Sequence, residues 1–134
     1  VAAGAEFIQT QYCFDMDVLR STMKRAVDLG ICESAFILPG VGTLASAKTA
    51  RWLKGNVPGV HIPEALISRL EGATNQKAEG QKICIELMQE VKQIEGVSGV
   101  HIMAYKQETF VADMVSQSGV LDGRQPWAPP VKAL

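Results

Sequence analysis

The chain has 134 residues, of which 47% are hydrophobic and 20% are charged, and its formal net charge is −1. This composition is typical of one soluble globular unit. The near balance of acidic and basic residues gives no electrostatic signature of a protein that binds nucleic acid or an anionic membrane. No apolar stretch approaches the roughly 20 residues that a membrane-spanning helix needs.

The cysteine and histidine residues give no sign of a metal site. Cys13, Cys32 and Cys84 are odd in number, far apart and at no zinc or CxxC spacing. We therefore expect reduced thiols in a cytoplasmic protein. His61 lies in a proline-rich connection and His101 in an apolar segment, so we expect no bound metal ion.

The first half of the chain predicts two strands with a helix between them. Residues 6–12 are rich in β-forming side chains and predict a strand. Asp15 is a typical N-cap, and apolar residues at helical spacing follow it as far as Gly30, where we expect the helix to end. Residues 34–38 predict a buried strand that ends in a Pro-Gly-Val-Gly turn at 39–42.

The middle of the chain predicts three helices. The first covers residues 43–54 and is closed by Gly55. Two prolines make residues 57–63 an unlikely ladder strand, and the second suits the start of a short helix over 64–71. A longer helix is expected from about 77 to 94, where apolar residues recur on one face.

The last part of the chain predicts one more strand and helix. The strand covers residues 99–104, and the apolar stripe of the helix begins at Phe110. We expect one domain unit over residues 1–120 and an irregular tail over 121–134. The first residue is Val1 and not Met, which suggests processing, cloning or a missing upstream portion.

The order β-α-β-α-α-α-β-α predicts an α/β fold with parallel strands joined by helical crossovers. Three parallel strands cannot close a (β/α)₈ barrel, which takes eight strands and about 250 residues. A free-standing three-stranded sheet would leave its edges uncovered. We therefore favour an incomplete barrel.

Ligands of parallel α/β folds gather at the carboxyl ends of the strands. The segments at these ends are 9–14, 39–43 and 104–107. Gln9 and Gln11 should share one face of the first strand and Thr10 the other. An amide both donates and accepts hydrogen bonds, so it suits the edge of a heterocycle. The alternative is that these glutamines fill a polar barrel interior.

Two further features have a functional and a structural interpretation. The glycine-bearing turn at 39–43 opens a predicted helix and would suit an anion, but it lacks the P-loop lysine, so a plain βα turn is favoured. Trp52 would suit stacking against an aromatic ligand, although an aromatic at helical spacing more often belongs to the core.

Four strings resemble the methylenetetrahydrofolate reductase family in unbroken order over residues 3–120. They are AEFIQTQYCFD at 5–15, LPGV at 38–41, VPGVHIP at 57–63 and GVSGVHIM at 96–103. The resemblance implies a flavin-dependent (β/α)₈ barrel, a partial TIM barrel here, of which this chain would supply the last three βα units. Such a reductase passes hydride from NAD(P)H through FAD to methylenetetrahydrofolate, giving methyltetrahydrofolate.

The resemblance also implies site residues. Gln11 falls on the family's glutamine that contacts both the folate pterin and the nicotinamide. The family's stacking aromatic falls on Leu53 without gaps, or on Trp52 with a shift of one residue. Where the family often has an arginine after the last strand, this chain has Lys106 and Gln107, which puts that folate contact in doubt.

The implied partners follow from what the chain lacks. The acid that protonates the folate and most of the FAD shell belong to the first five strands of the family's barrel. We therefore expect no catalytic residue, no FAD and no reductase activity in this chain alone. We expect it to pair with the N-terminal remainder of the barrel or to self-associate. The alternatives are a non-catalytic paralogue or partner subunit, and a barrel that acts on another pterin or methyl donor.

Overall fold

The computed structural model describes residues 1–105, 107–121 and 123–124. The elements in chain order are β1 (Phe7–Tyr12), α1 (Met16–Asp28), β2 (Phe36–Gly42), α2 (Ala47–Asn56), α3 (Glu64–Glu71), α4 (Gln76–Val91), β3 (His101–Met103) and α5 (Val111–Ser118). Short 3₁₀ turns cover Ile31–Glu33 and Glu108–Phe110. Apart from 121, 123 and 124, the predicted tail lies outside the described residues.

The three strands form one parallel sheet in the order β1-β2-β3. Because each pair is parallel, all three carboxyl ends meet at the same edge of the sheet. The predicted α/β fold with three parallel strands is confirmed. No helix in the described part of the chain is both long and apolar enough to cross a membrane.

Among the described residues, the helices cover one face of this sheet and leave the other face open. Ile37 of β2 is buried in a core that includes residues of all five helices. Its neighbour Phe36 points the other way and is 67% exposed. Phe36 is in register with Phe7 of β1, which is 59% exposed. The open face therefore carries two adjacent aromatic side chains.

Local signals placed two helices correctly. The Asp15 side chain accepts hydrogen bonds from the backbone N–H groups of Asp17 and Val18, which caps α1 as predicted. Gly30 follows α1 in the left-handed conformation, with φ of 68°. The bounds of α3 also agree with the prediction over residues 64–71.

The prediction of a turn at 39–42 is wrong, because β2 continues to Gly42. Pro39 has no N–H to donate, and it lies between two ladder positions where β1 contains an extra residue. The strand can therefore contain a proline. Helix α2 begins only at Ala47, so residues 39–43 do not open a helix, and the anion hypothesis loses the helix N-terminus on which it depended.

The position of α2 depends on its caps. The Ser46 hydroxyl accepts from the N–H of Thr49 at 3.1 Å, and the side chain of Gln76 accepts from the N–H of Ala47 at 2.9 Å. At the other end, α2 continues through Gly55, which was predicted to close it. Helix α4 ends at Val91 and β3 has three residues, so both are shorter than predicted.

Salt bridges link the three consecutive helices on the outer side of the core. Arg51 of α2 contacts Glu64 and Glu71 of α3. Arg69 of α3 contacts Glu79 and Glu86 of α4. Each arginine therefore joins its own helix to the next one in the chain.

Gly80 allows α4 to approach the loop between β2 and α2. A Cβ atom at this position would overlap the backbone carbonyl of Leu44. Leu44 is itself fully buried. The loop that follows β2 is therefore held against α4 by close backbone packing.

Gly80→Ala tests this packing. The added methyl group forces the helix or the loop to move, so we expect the free energy of unfolding to fall by about 1–3 kcal/mol in a urea titration. Gly55→Ala is the matched control, because Gly55 is also helical but faces open space. Its stability should be unchanged or rise by up to about 1 kcal/mol. Wild-type stability in Gly80→Ala would contradict the contact.

Candidate functional site

A β-bulge shapes the carboxyl end of β1. Gln9 pairs with Leu38 and Tyr12 pairs with Gly40, so two residues of β1 face one residue of β2. The hydroxyl of Thr10 accepts a hydrogen bond from the N–H of Gly40 at 2.9 Å. This side chain thereby adds a hydrogen bond between β1 and β2 at the bulge.

Gln11 is exposed at this end of β1, and its amide is oriented by the backbone. Its Oε1 accepts from the N–H of Tyr12 at 2.9 Å. The N–H of Cys13 donates to Gly40 of β2, so the N–H of Tyr12 points away from β2 toward the free edge of the sheet. The exposure of β1 alternates as predicted, with Gln9 and Gln11 exposed and Thr10 half-buried.

Gln9 contacts a residue that the sequence did not single out as a ligand contact. Its Nε2 lies 3.1 Å from Nδ1 of His101. His101 belongs to β3 and Gln9 to β1, so this hydrogen bond crosses β2. Only the register of the two ladders brings these side chains together, and the sequence carries no local signal for that register.

Tyr12 is a second residue that sequence reasoning missed. Its ring lies against Gly42, where a Cβ atom would overlap it. Its hydroxyl donates to the carbonyl of Met103 at 3.5 Å, and its ring stacks on Phe14 with centroids 5.4 Å apart. Burial raises the pKa of the Tyr12 phenol. The glycine at position 42 was the available signal, because it marks a close approach.

A cleft of about 180 Å³ lies beside the bulge. It is bordered by the residues from Thr10 to Asp15, the first turns of α1, and Gly59 and His61 of the connection between α2 and α3. A wider cleft of about 540 Å³ follows that connection and shares Asp15, Gly59 and His61. The two clefts place an amide, a carboxylate and an imidazole near the carboxyl end of β1.

The two candidates for a stacking residue have different environments. Trp52 of α2 is 58% exposed, so its indole is not packed between helices. Leu53 is half-buried and packs against the core. Their contact with a ligand stays a prediction, but only the indole of Trp52 presents a large free aromatic surface.

Gln107 follows β3 and is buried, with 6% of its surface exposed. Its Oε1 has no hydrogen-bond partner in the described part of the chain. Leaving a buried acceptor unpaired costs about 1–3 kcal/mol, so this oxygen suits a donor supplied by a ligand or a water. Lys106, the preceding residue, lies outside the described residues.

The described residues contain no group of three His, Cys, Asp or Glu side chains that would hold a metal ion. The polar groups described near the strand ends are instead amides, the imidazoles of His61 and His101, the phenol of Tyr12 and one capping carboxylate. These groups suit hydrogen bonding to a neutral heterocycle.

The sequence was compared with models of known protein families. Residues 1–119 match the model described as methylenetetrahydrofolate reductase. The chain belongs to the methylenetetrahydrofolate reductase family. The resemblance seen in the sequence is confirmed, and the match covers every strand and helix of the described fold.

Membership of the methylenetetrahydrofolate reductase family gives the fold and the site a context. The three parallel strands and their helices are a partial barrel of this family's domain. The family relates the chain to oxidoreductases of folate metabolism and generally implies the use of FAD. The exposed amides therefore lie at the edge of the sheet where a barrel binds its ligands.

Thr10→Val tests whether the bulge depends on the hydroxyl group. The substitution keeps the size of the side chain but removes the hydroxyl group that accepts from the N–H of Gly40. We expect the free energy of unfolding to fall by about 1–3 kcal/mol in urea. Thr10→Ser keeps the hydroxyl group and should cost less than Thr10→Val. Equal losses in the two variants would show that packing and not the hydrogen bond is responsible.

Proposed function

We propose that this chain is the C-terminal part of a flavin-dependent methylenetetrahydrofolate reductase. The complete enzyme would transfer hydride from NAD(P)H through FAD to methylenetetrahydrofolate and give methyltetrahydrofolate. The observation that carries the proposal is the family match over residues 1–119, together with exposed amides at the carboxyl edge of the sheet. Strands β1 to β3 would then be the last three strands of the barrel.

Gln11 is the proposed contact to both the pterin and the nicotinamide. Its carbonyl is held by the N–H of Tyr12, which leaves its NH₂ group to donate to a ligand. In a closed barrel, a strand beside β1 would accept the hydrogen bond of Tyr12. The carbonyl of Gln11 would then be released, and the amide would both donate and accept.

The chain's own residues position ligands and do not carry hydride. The hydride chemistry belongs to FAD when it is bound, and the protein supplies orientation and hydrogen bonds. The exposed amides of Gln9 and Gln11 and the unpaired Oε1 of Gln107 fit the edges of flat heterocycles. We propose that the remainder of the barrel supplies the proton donor and most of the FAD shell.

Trp52, or Leu53 in its place, is the proposed stacking residue for folate or nicotinamide. We favour Trp52, because its indole is exposed. The three cysteines are unpaired, which supports a cytoplasmic location for the enzyme. NADH and NADPH are both compatible with these residues.

A second candidate function is a barrel that acts on another pterin or methyl donor. The supporting observation is Gln107, which has a free buried acceptor near the position where the family often has an arginine. A non-catalytic paralogue or partner subunit is a further alternative. Expressing the chain together with an N-terminal barrel portion distinguishes this alternative from a reductase. Only the reductase would become yellow with bound flavin.

Gln11→Ala tests the proposed function in the assembled reductase. We expect both half-reactions to slow by roughly 10- to 100-fold, because hydrogen bonds of about 1–3 kcal/mol are lost, while FAD stays bound. Stopped-flow measurement of flavin reduction by NAD(P)H and reoxidation by methylenetetrahydrofolate gives both rates. Gln93→Ala, an exposed site beyond α4, should leave both rates unchanged. Unchanged rates in Gln11→Ala would rule out its role.

The chain alone is expected to self-associate and to bind no FAD. Phe7 and Phe36 form an apolar pair on the open face, and in the part of the chain that the structure describes no further strand pairs with β1 or β3. Light scattering should show a mass that rises with concentration. Phe36→Lys should lower that association, while Leu29→Lys, a matched change at an exposed residue that follows α1, should not. A monomer at every concentration would contradict the expectation.

A further inference from the structure

The two exposed glutamines of β1 are held in opposite orientations. Gln11 uses its carbonyl oxygen to accept the N–H of Tyr12, so its NH₂ group remains available. Gln9 uses its NH₂ group toward Nδ1 of His101, so its carbonyl oxygen remains available. Neighbouring positions on one strand therefore offer a donor and an acceptor.

The contact ties the orientation of the Gln9 amide to the tautomer of His101. The Nε2 atom of a glutamine only donates, so with the amide oriented this way Nδ1 of His101 accepts and carries no proton. If the proton were on Nδ1, the amide of Gln9 would turn over and present its NH₂ group instead.

His101 is well placed to fix this orientation. It pairs with Gly40 of the central strand β2 and is half-buried, whereas Gln9 is exposed on the edge strand β1. Both residues have ladder positions, Gln9 opposite Leu38 and His101 opposite Gly40, but the imidazole follows two rotatable side-chain bonds and the Gln9 amide follows three. The hydrogen bond across β2 therefore constrains the more mobile of the two side chains.

We propose that His101 is a positioning residue that holds the Gln9 amide with its carbonyl oxygen toward the ligand. The ligand group recognised is an N–H donor on a heterocycle, such as a pterin ring N–H or a carboxamide. The identity of this ligand rests on the proposed reductase function, but the pairing of Gln9 with His101 does not. In the chain alone, the carbonyl oxygen of Gln9 is thus available to a donor on a ligand and the NH₂ group of Gln11 to an acceptor.

The first experiment measures the tautomer of His101 in the chain as given. NMR with isotope-labelled histidine distinguishes a bare Nδ1 from a protonated one, and few signals remain even if the chain self-associates. The pH should lie well above about 6.5, the ordinary pKa of imidazole. His61→Gln identifies the signal of His101. A bare Nδ1 is expected, and a proton on Nδ1 would overturn the proposal.

Three substitutions of His101 test the geometry of the pair. In His101→Asn, the side-chain oxygen lies near the position of Nδ1, so the NMR signals of the Gln9 side-chain amide should stay shifted from those of a free amide. In His101→Gln the amide lies near the position of Nε2 instead, and His101→Phe has no acceptor. In both of these variants the NMR signals of the Gln9 side-chain amide should return to the values of a free amide. The signals of Gln11 should not change. Free values in the Asn variant, or no change in the Phe variant, would overturn the pairing.

The last experiment tests ligand recognition in the assembled reductase, with methyltetrahydrofolate as the probe. His101→Gln and His101→Phe should weaken binding about fivefold, which corresponds to one hydrogen bond of about 1 kcal/mol, while His101→Asn should stay near wild type. Equal affinity in all variants would overturn the ligand role of Gln9 and leave Gln11 untouched. Failure of the wild type to bind the probe would instead contradict the proposed function, and the NMR result would still decide the pairing.

Discussion

The hydrogen bond from the N–H of Gly40 to the hydroxyl of Thr10 is the interaction on which the candidate site depends. It links the two strands at the point where β1 has one residue more than β2. The extra residue sets the direction in which Gln11 and Tyr12 leave the strand. Pro39 beside it has no N–H, so this side-chain contact ties β2 to β1 next to a position from which β2 cannot donate.

Glycine determines how closely the other parts of the site approach one another. Because Gly42 has no side chain, the ring of Tyr12 can lie against it, and for the same reason the backbone at Leu44 can lie against Gly80. In both places the neighbour fills the volume that a side chain would occupy. The loop after β2 is therefore positioned by contact between backbones, and the carboxyl edge of the sheet by a rigid ring against a backbone, and both contacts are less adaptable than contact between flexible side chains.

The sequence predicted those features that depend on nearby residues. The cap at Asp15 and the bounds of α3 follow from side chains within a few positions, and they were predicted correctly. The continuation of β2 through Pro39 was not predicted, because it depends on a bulge in another strand. For the same reason the contact of Gln9 with His101, 92 residues apart, had no sequence signal. Gln11 was identified from its place on its own strand, but the backbone N–H of Tyr12, which donates to the side-chain oxygen of Gln11, was not.

The salt bridges between consecutive helices have a consequence for the order in which the chain folds. Arg51 and Arg69 join residues that are 10 to 20 positions apart, from α2 to α4. By contrast, the segment that leads into β3 approaches β2 through contacts such as that between Ile37 and Ser98, which are 61 positions apart. Because closing a longer loop costs more entropy, the helical layer is favoured to organise before the third strand docks. The polar groups that meet across β2 would then be the last to assemble, on a scaffold of helices that is already formed.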